Sequence, residues 1–233
     1  MYFLFTHLVR ILSLFIPLLI AFTLVIINVR FAVNSLPLQV ALFERNNISV
    51  LSNFSSFELK QIAIQIQNYF SGDSNALFVT LKDRYGGQNL FTANEVTHMA
   101  DVKNLFLFFF TLQNYAVIAI LITAVLLYIS MKSKSSVVFA KWLTQGGLIT
   151  FCVILLIGFI SFVAFDPLFT LFHYIGFPQG NWAFNPRTSA LVQIFPLGFW
   201  RDITLVIAGL SIFEALILIG IGQIVQRIGK SKN

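Results

Sequence analysis

The chain has 233 residues, of which 58% are hydrophobic and only 10% charged, with a mean hydropathy of +0.85. A soluble domain carries about 25% charged residues, and a chain this apolar cannot bury its side chains away from water. A water-soluble globular fold is therefore excluded and an integral membrane protein is expected. The net charge of +6 raises nucleic acid as a partner, a reading that the placement of the charges removes below. The single cysteine, Cys152, lies inside an apolar run, so no intrachain disulfide is available. No Cys/His cluster has zinc-site spacing, and neither a metal nor a cofactor is expected. The 27 Phe exceed what simple spans need; they fit lipid contact and interfacial anchoring, or an aromatic-lined acyl pocket.

Four apolar runs reach the roughly 20 residues that cross a bilayer: 11–29, 105–129, 148–165 and 203–225. The first follows His7 and Arg10 and resembles a signal peptide. Its 19 residues are long for one, and no small-residue cleavage site precedes Arg30. A retained helix, kinked at Pro17, is expected. The predicted organisation has 1–30 as the first transmembrane helix and 31–103 as an extracytoplasmic cap. Helices at 104–131 and 147–165 are joined by a cytoplasmic loop at 132–146. An extracytoplasmic interfacial helix and loop occupy 166–202, the fourth transmembrane helix 203–226, and a cytoplasmic tail 227–233. The fold class is all-α transmembrane: a four-helix membrane bundle with a small cap of some α and at most short β structure.

Arg10, Lys132, Lys134, Lys141, Arg227, Lys230 and Lys232 are seven basic residues on one side, with no acidic ones. The other side, 30–104 with 166–202, carries eight of each sign. The positive-inside rule places both termini in the cytoplasm. The excess charge then faces anionic lipid, and no nucleic acid is expected.

Within the cap, 38–43 and 76–81 read as short strands. Leu59, Ile62, Ile64, Ile66 and Tyr69 suggest a helix over 56–69. Asp83-Arg-Tyr-Gly-Gly87 is a turn signal. Thr92-Ala-Asn-Glu95 has capping-box form, so a helix should begin near Ala93 and run unbroken into the second span. On it, Glu95 and Asp101 each lie three residues from His98, on its face. A carboxylate there can orient an imidazole; the alternative is ordinary surface charge at a helix start. Asp166-Pro167 reads as N-cap and first residue of a fresh interfacial helix over 167–175, with Phe169, Phe172 and His173 along one face. Gly176, Pro178 and Gly180 end it, and Trp182, Phe184 and Trp200 read as interfacial aromatics. His173 is either a hydrogen-bonded structural residue or a catalyst; two histidines on one side of the membrane favour a pair. Glu214, midway in the last span, is a functional candidate or a carboxyl bonded to Gln113 or Asn114.

These segments resemble the bacterial lipoprotein intramolecular transacylase family. Glu95, His98, Asp101, Val102 and Lys103 match one motif. Phe172, His173, Phe177, Pro178, Gly180, Asn181, Trp182, Phe184, Pro196 and Phe199 match the other. The chain departs from the pattern at Asn185, Ser189 and Gly198, where acidic residues are common. The resemblance covers essentially the whole chain. It implies a membrane acyltransferase that moves the sn-2 acyl chain of a diacylglyceryl lipoprotein onto the free amine of its own N-terminal cysteine, giving a lyso-form lipoprotein. It implies catalytic His98 and His173, with a substrate surface of Phe172, Tyr174, Phe177, Asn181, Trp182 and Phe184. His98, oriented by Asp101 or Glu95, is the expected base and His173 the oxyanion donor, with the reverse assignment open. Lys103 and Arg201 are expected to assist, or to anchor at the interface. No nucleophile-elbow pattern appears, which speaks against a covalent route. The implied partners are the lipoprotein substrate and membrane lipid, with no obligate protein partner. The rival readings are a non-enzymatic lipid- or lipoprotein-binding membrane subunit, and a metal-dependent membrane hydrolase using His98, Asp101 and His173.

Overall fold

The computed structural model describes residues 2–72, 74–81, 84 and 86–231. Of the turn expected at 83–87, Asp83 and Tyr85 lie outside the described residues, as do Lys232 and the side chains of His7, Arg10 and Lys230. Gly86 and Gly87 take positive φ, 55° and 86°, as a turn requires. The helices are α1 (Tyr2–Asn34), α2 (Leu36–Arg45), α3 (Ile48–Ser52), α4 (Ser56–Ser71), α5 (Ala93–Met131), α6 (Ser135–Val163), α7 (Phe165–Gly176), α8 (Ala190–Ile194) and α9 (Leu197–Ser231). Four of them contain segments long and apolar enough to cross a bilayer: Ile11–Asn34, Ala93–Met131, Ser135–Val163 and Leu197–Gly229. The chain is a multi-pass membrane protein. Between α5 and α6 there is only a 3-10 turn, Lys132–Lys134, so α6 begins well ahead of the apolar run expected from 148.

Two compact units emerge. The first comprises Met1–Val29, Phe109–Phe159 and Ile207–Asn233. Ile16, Ile20, Leu127 and Trp142 form its core. Because lipid is as apolar as leucine, helices here associate through close packing and polar contacts. Gly146 supplies the first: a Cβ there would meet Ile20 Cγ2 at 2.7 Å and the Pro17 carbonyl at 3.2 Å. The buried Asn28 supplies the second, donating from Nδ2 to Glu214 Oε2 at 2.8 Å and to Ser211 Oγ at 3.2 Å. The partners expected for Glu214, Gln113 and Asn114, are thereby replaced by Asn28 of α1; Gln113 donates instead to the Thr23 carbonyl.

The second unit comprises Arg30–Phe108 and Ile160–Val206. Residues 38–43, expected as a strand, belong to α2. Ser35 caps its start through the Leu38 amide, and Pro37 sits in the first turn, where a missing N–H costs nothing. Residues 76–81, the other expected strand, form no strand but alternate in burial: Leu77, Val79 and Leu81 are buried and Phe78 is exposed. Side-chain amides occupy much of the place of a neighbouring strand. Gln65 pairs with both the N–H and carbonyl of Thr80, and Asn89 accepts from Val79 and donates to the Leu77 carbonyl. The described residues contain no strand. α4 is closed by a capping box, Ser55 with Glu58, and buries Leu59, Ile62, Ala63, Ile66 and Tyr69. Ile64, expected on that face, is exposed, since the helical stripe runs through Ala63. α2 packs along α4, and α3 against α8. α7 starts at Phe165 with Ala164 at the N-cap, so Asp166 lies in the first turn and does not cap.

Candidate functional site

His98 stands on α5, whose 39 residues rise about 58 Å, nearly twice a hydrocarbon core of about 30 Å. The apolar crossing part begins at Leu105, and the turns bearing Glu95, His98, Asp101 and Lys103 extend ahead of it. The start of α5 is the capping box read from sequence: Glu95 Oε2 accepts from the Thr92 amide and hydroxyl, both at 2.8 Å, and the Glu95 amide donates to Thr92 Oγ1. His173 projects from the buried face of α7, the one buried residue of that helix. The two imidazoles, 75 positions apart in sequence, stack with ring centroids 6.1 Å apart and planes 28° from parallel. Phe177 touches both, at 4.9 Å from His98 and 5.4 Å from His173. Phe184 closes on His98 at 5.7 Å, while Phe169, Trp182 and Phe172 close on His173 at 4.2, 5.0 and 5.3 Å. Tyr174, largely exposed, stands edge-on to Trp182.

The two rings are held differently. His173 Nδ1 lies 2.8 Å from the Phe169 carbonyl oxygen, one turn back on α7. A carbonyl only accepts, so Nδ1 carries the hydrogen, and the lone pair of the neutral ring sits on Nε2. Nδ1 of His98 is buried with no hydrogen-bond partner. Burial lowers the pKa of His173 below the ordinary histidine value, against the opposing bond to Phe169. For His98 burial and the neighbouring His173 lower it to about 4, although Asp101 pulls the other way. Both rings are therefore neutral near pH 7. Two neutral imidazoles inside an aromatic wall can accept and return a proton. Among the described residues, no three His, Cys, Asp or Glu side chains gather as a metal-holding group.

The chain matches the family model for lipoprotein intramolecular transacylase Lit over residues 14–200. The chain belongs to this family. Its fold is similar to that of the membrane-integral lipoprotein intramolecular transacylase Lit from Bacillus cereus, with a TM-score of 0.83 at 19% identity, covering 97% of this chain and 99% of that one. A form of the Bacillus cereus protein with one histidine replaced by alanine gives a TM-score of 0.76 at 20% identity, over 97% of each chain. A protein of Aquifex aeolicus (strain VF5), described as uncharacterized, is 31% identical over 146 residues, 63% of this chain and 62% of that protein. That match therefore spans less than two thirds of the relative's length.

In this transacylase-family chain the residues expected to support the histidines take other partners. Glu95 is 1% exposed, and its second oxygen, Oε1, accepts from Ser189 Oγ at 2.5 Å and the Leu191 amide at 3.0 Å. It ties the start of α5 to the start of α8, and its hydrogen bonds leave His98 aside. Asp101 Oδ2 accepts from Gln179 and Asn181, at 2.8 and 2.7 Å, and so fixes the loop that carries Phe177 and Trp182. The buried Oδ1 of Asn181 has no partner. Lys103 is buried, and its Nζ donates to the carbonyls of Tyr69, Gly72 and Ser74 at 2.8, 2.6 and 2.9 Å. Three donors meet three acceptors, so Lys103 closes the end of α4 and has no donor left for an oxyanion. Arg201 approaches Asp202. Sequence reasoning missed Ser189 as a partner of Glu95 and the Phe169 carbonyl as a partner of His173. Both carried a signal: a serine just ahead of an apolar turn is an N-cap candidate, and in a helix the residue four before a histidine presents its carbonyl to that side chain.

Proposed function

We propose that this chain transfers the sn-2 acyl group of a diacylglyceryl lipoprotein to the free α-amine of that lipoprotein's N-terminal cysteine. The observation that carries the reading is the pair of neutral imidazoles, His98 and His173, stacked 6.1 Å apart behind Phe177 and Trp182, in a chain of the transacylase family. Donor ester and acceptor amine belong to one substrate, so placement does much of the catalytic work. Holding reacting groups in register is worth roughly 7–11 kcal/mol, and the aromatic wall of Phe172, Phe177, Trp182 and Phe184 is suited to confining the glyceryl and acyl portions.

In this mechanism the free amine, with an ordinary pKa of roughly 7.7–8.0, attacks the ester carbonyl carbon. A new C–N bond forms and the carbonyl becomes an oxyanion. His173 Nε2 takes the proton that the nitrogen sheds, helped by the Phe169 carbonyl, which fixes the ring and steadies the imidazolium. His98 donates to the oxyanion. Collapse breaks the bond from the carbonyl carbon to the sn-2 oxygen, and the proton held on His173 passes to that oxygen. An ester and an amine thus become an amide and an alcohol, with no acyl-enzyme. Glu95, Asp101 and Lys103 position the elements that carry this pair, and Asn181 Oδ1 offers an acceptor for an amine N–H. The charge distribution supports a topology with the termini in the cytoplasm and this site at the outer face of a bacterial plasma membrane.

The test is mass spectrometry of the N-terminal peptide of a reporter lipoprotein, made in cells without other N-acylating enzymes. With this chain present the peptide should be N-acylated and carry one O-acyl chain. An unchanged diacylglyceryl peptide with a free amine overturns the proposal.

A further inference from the structure

Asp202 is 6% exposed and lies early in α9, just ahead of the apolar run 203–225. Its Oδ2 accepts from Arg45 Nε at 2.8 Å and Asn46 Nδ2 at 3.1 Å. Its Oδ1 takes longer approaches from Arg201 Nε and Nη2, both 3.4 Å. Asn46 ends α2 and also donates to the Leu42 carbonyl. Gly198 makes room for it: a Cβ there would stand 2.6 Å from Asn46 Oδ1. One buried carboxylate therefore tethers two guanidinium groups from α2 and α9.

Arg45 and Asn46 already satisfy one oxygen of Asp202 with short bonds, and the second arginine adds only two long ones. The local charge stays one positive in excess. The side chains of Arg45 and Arg201 are 70% and 49% exposed, against 6% for Asp202. Each guanidinium has five N–H donors in a planar fork. Arg45 turns one of these to Asp202 and Arg201 turns two, so most donors of both forks are not spent on that carboxylate. Such forks match the oxygens of a phosphate bidentately. Trp200 precedes Arg201, and an interfacial tryptophan at the start of an apolar run marks headgroup depth. We infer that Arg45 and Arg201, spaced by Asp202, bind the phosphate group of an anionic phospholipid. The glyceryl group of a diacylglyceryl lipoprotein carries no phosphate, so this ligand is a neighbouring lipid and not the acyl substrate.

The experiment measures Tm of the full chain in phosphatidylcholine nanodiscs, alone, with phosphatidylglycerol added, and with inorganic phosphate added. Phosphatidylglycerol should raise the Tm of the native chain. The Arg45→Gln/Arg201→Gln double variant should lose that rise, with its affinity for the lipid lowered about tenfold or more. Arg201→Gln alone breaks only the two long approaches to Asp202, should keep the native Tm in phosphatidylcholine, and should lose part of the rise. An undiminished response to phosphatidylglycerol in either variant overturns the inference. So does a rise caused by inorganic phosphate and not by phosphatidylglycerol.

Discussion

His173 donates from Nδ1 to the carbonyl oxygen of Phe169, 2.8 Å away on the same helix. The bond fixes both the tautomer and the tilt of the ring, and it assigns the lone pair of the neutral imidazole to Nε2. His98, across the 6.1 Å stack, has no such bond at Nδ1. This asymmetry is the ground for proposing His173 as the base, where the sequence pattern favours His98 in that role with the reverse assignment open.

Replacement of His173 by Asn keeps a donor near Nδ1 for the Phe169 carbonyl and removes the proposed base. N-acylation of a reporter lipoprotein should fall about 10²–10⁴-fold while the protein stays folded in the membrane. Initial rates by mass spectrometry, beside Tm of the purified variant, measure both. A variant that keeps full activity removes His173 from the mechanism.

The pKa of His98, held at about 4 by burial and by His173, links stability to pH. Its value in the unfolded chain is about 6.5, so below that pH the unfolded state binds a proton that the folded state refuses. Stability is thus complete above about pH 6.5 and drains away as pH falls toward about 4. His98→Gln should show a smaller fall in Tm than the native chain between about pH 7 and about pH 5. An equal fall in both chains assigns the acid sensitivity to another group.

Glu95 accepts four hydrogen bonds, from Thr92 N, Thr92 Oγ1, Ser189 Oγ and Leu191 N. An amide in its place presents N–H groups to donors. Glu95→Gln should therefore lower stability by about 1–3 kcal/mol and loosen α8 from the start of α5. Hydrogen exchange at 190–194 reads the second effect, and unchanged protection there contradicts the tie.

Lys103→Met removes the donor for the Tyr69, Gly72 and Ser74 carbonyls. The end of α4 should become sensitive to protease, and the Tm should fall, before any change in the residual rate per folded molecule. A native Tm with a lost rate would instead make Lys103 an oxyanion donor.

Asn28→Leu should cost about 1–2 kcal/mol by breaking the polar clasp with Ser211 and Glu214. Glu214→Gln retains an acceptor oxygen for Asn28 and should cost less. Thermal unfolding in detergent ranks the two, and the opposite order would place the importance of Glu214 elsewhere.

Much of the architecture was legible because it rests on short-range rules. Thr92 and Glu95 announced the start of α5, and the absence of a breaker carried it into the second span. The same capping box already implied that one oxygen of Glu95 is occupied by Thr92, a sign that Glu95 is not free to serve His98. The reading failed where two elements share a pattern. The pattern of residues 38–43 suits a strand, and Ser35 with Pro37 in the first turn decides for a helix. Residues 76–81 do alternate in burial, but Thr80 is held by the side-chain amide of Gln65, and Val79 by the side-chain amide of Asn89 and the backbone amide of Leu90, which no strand pattern reveals.

The sequence by itself determined that this chain enters a membrane, roughly where its four spans fall, and that His98 and His173 flank two of them. Hydropathy over about 20 residues and capping within one turn are local properties, readable without a fold. Only the tertiary structure decided what those residues face. Glu95 meets Ser189 across 94 positions, Asp101 meets Asn181 across 80, and the two imidazoles stack across 75. Which donor reaches a buried carboxylate, and which nitrogen of an imidazole keeps its lone pair, depends on packing between distant segments. Spacing along the chain does not encode it.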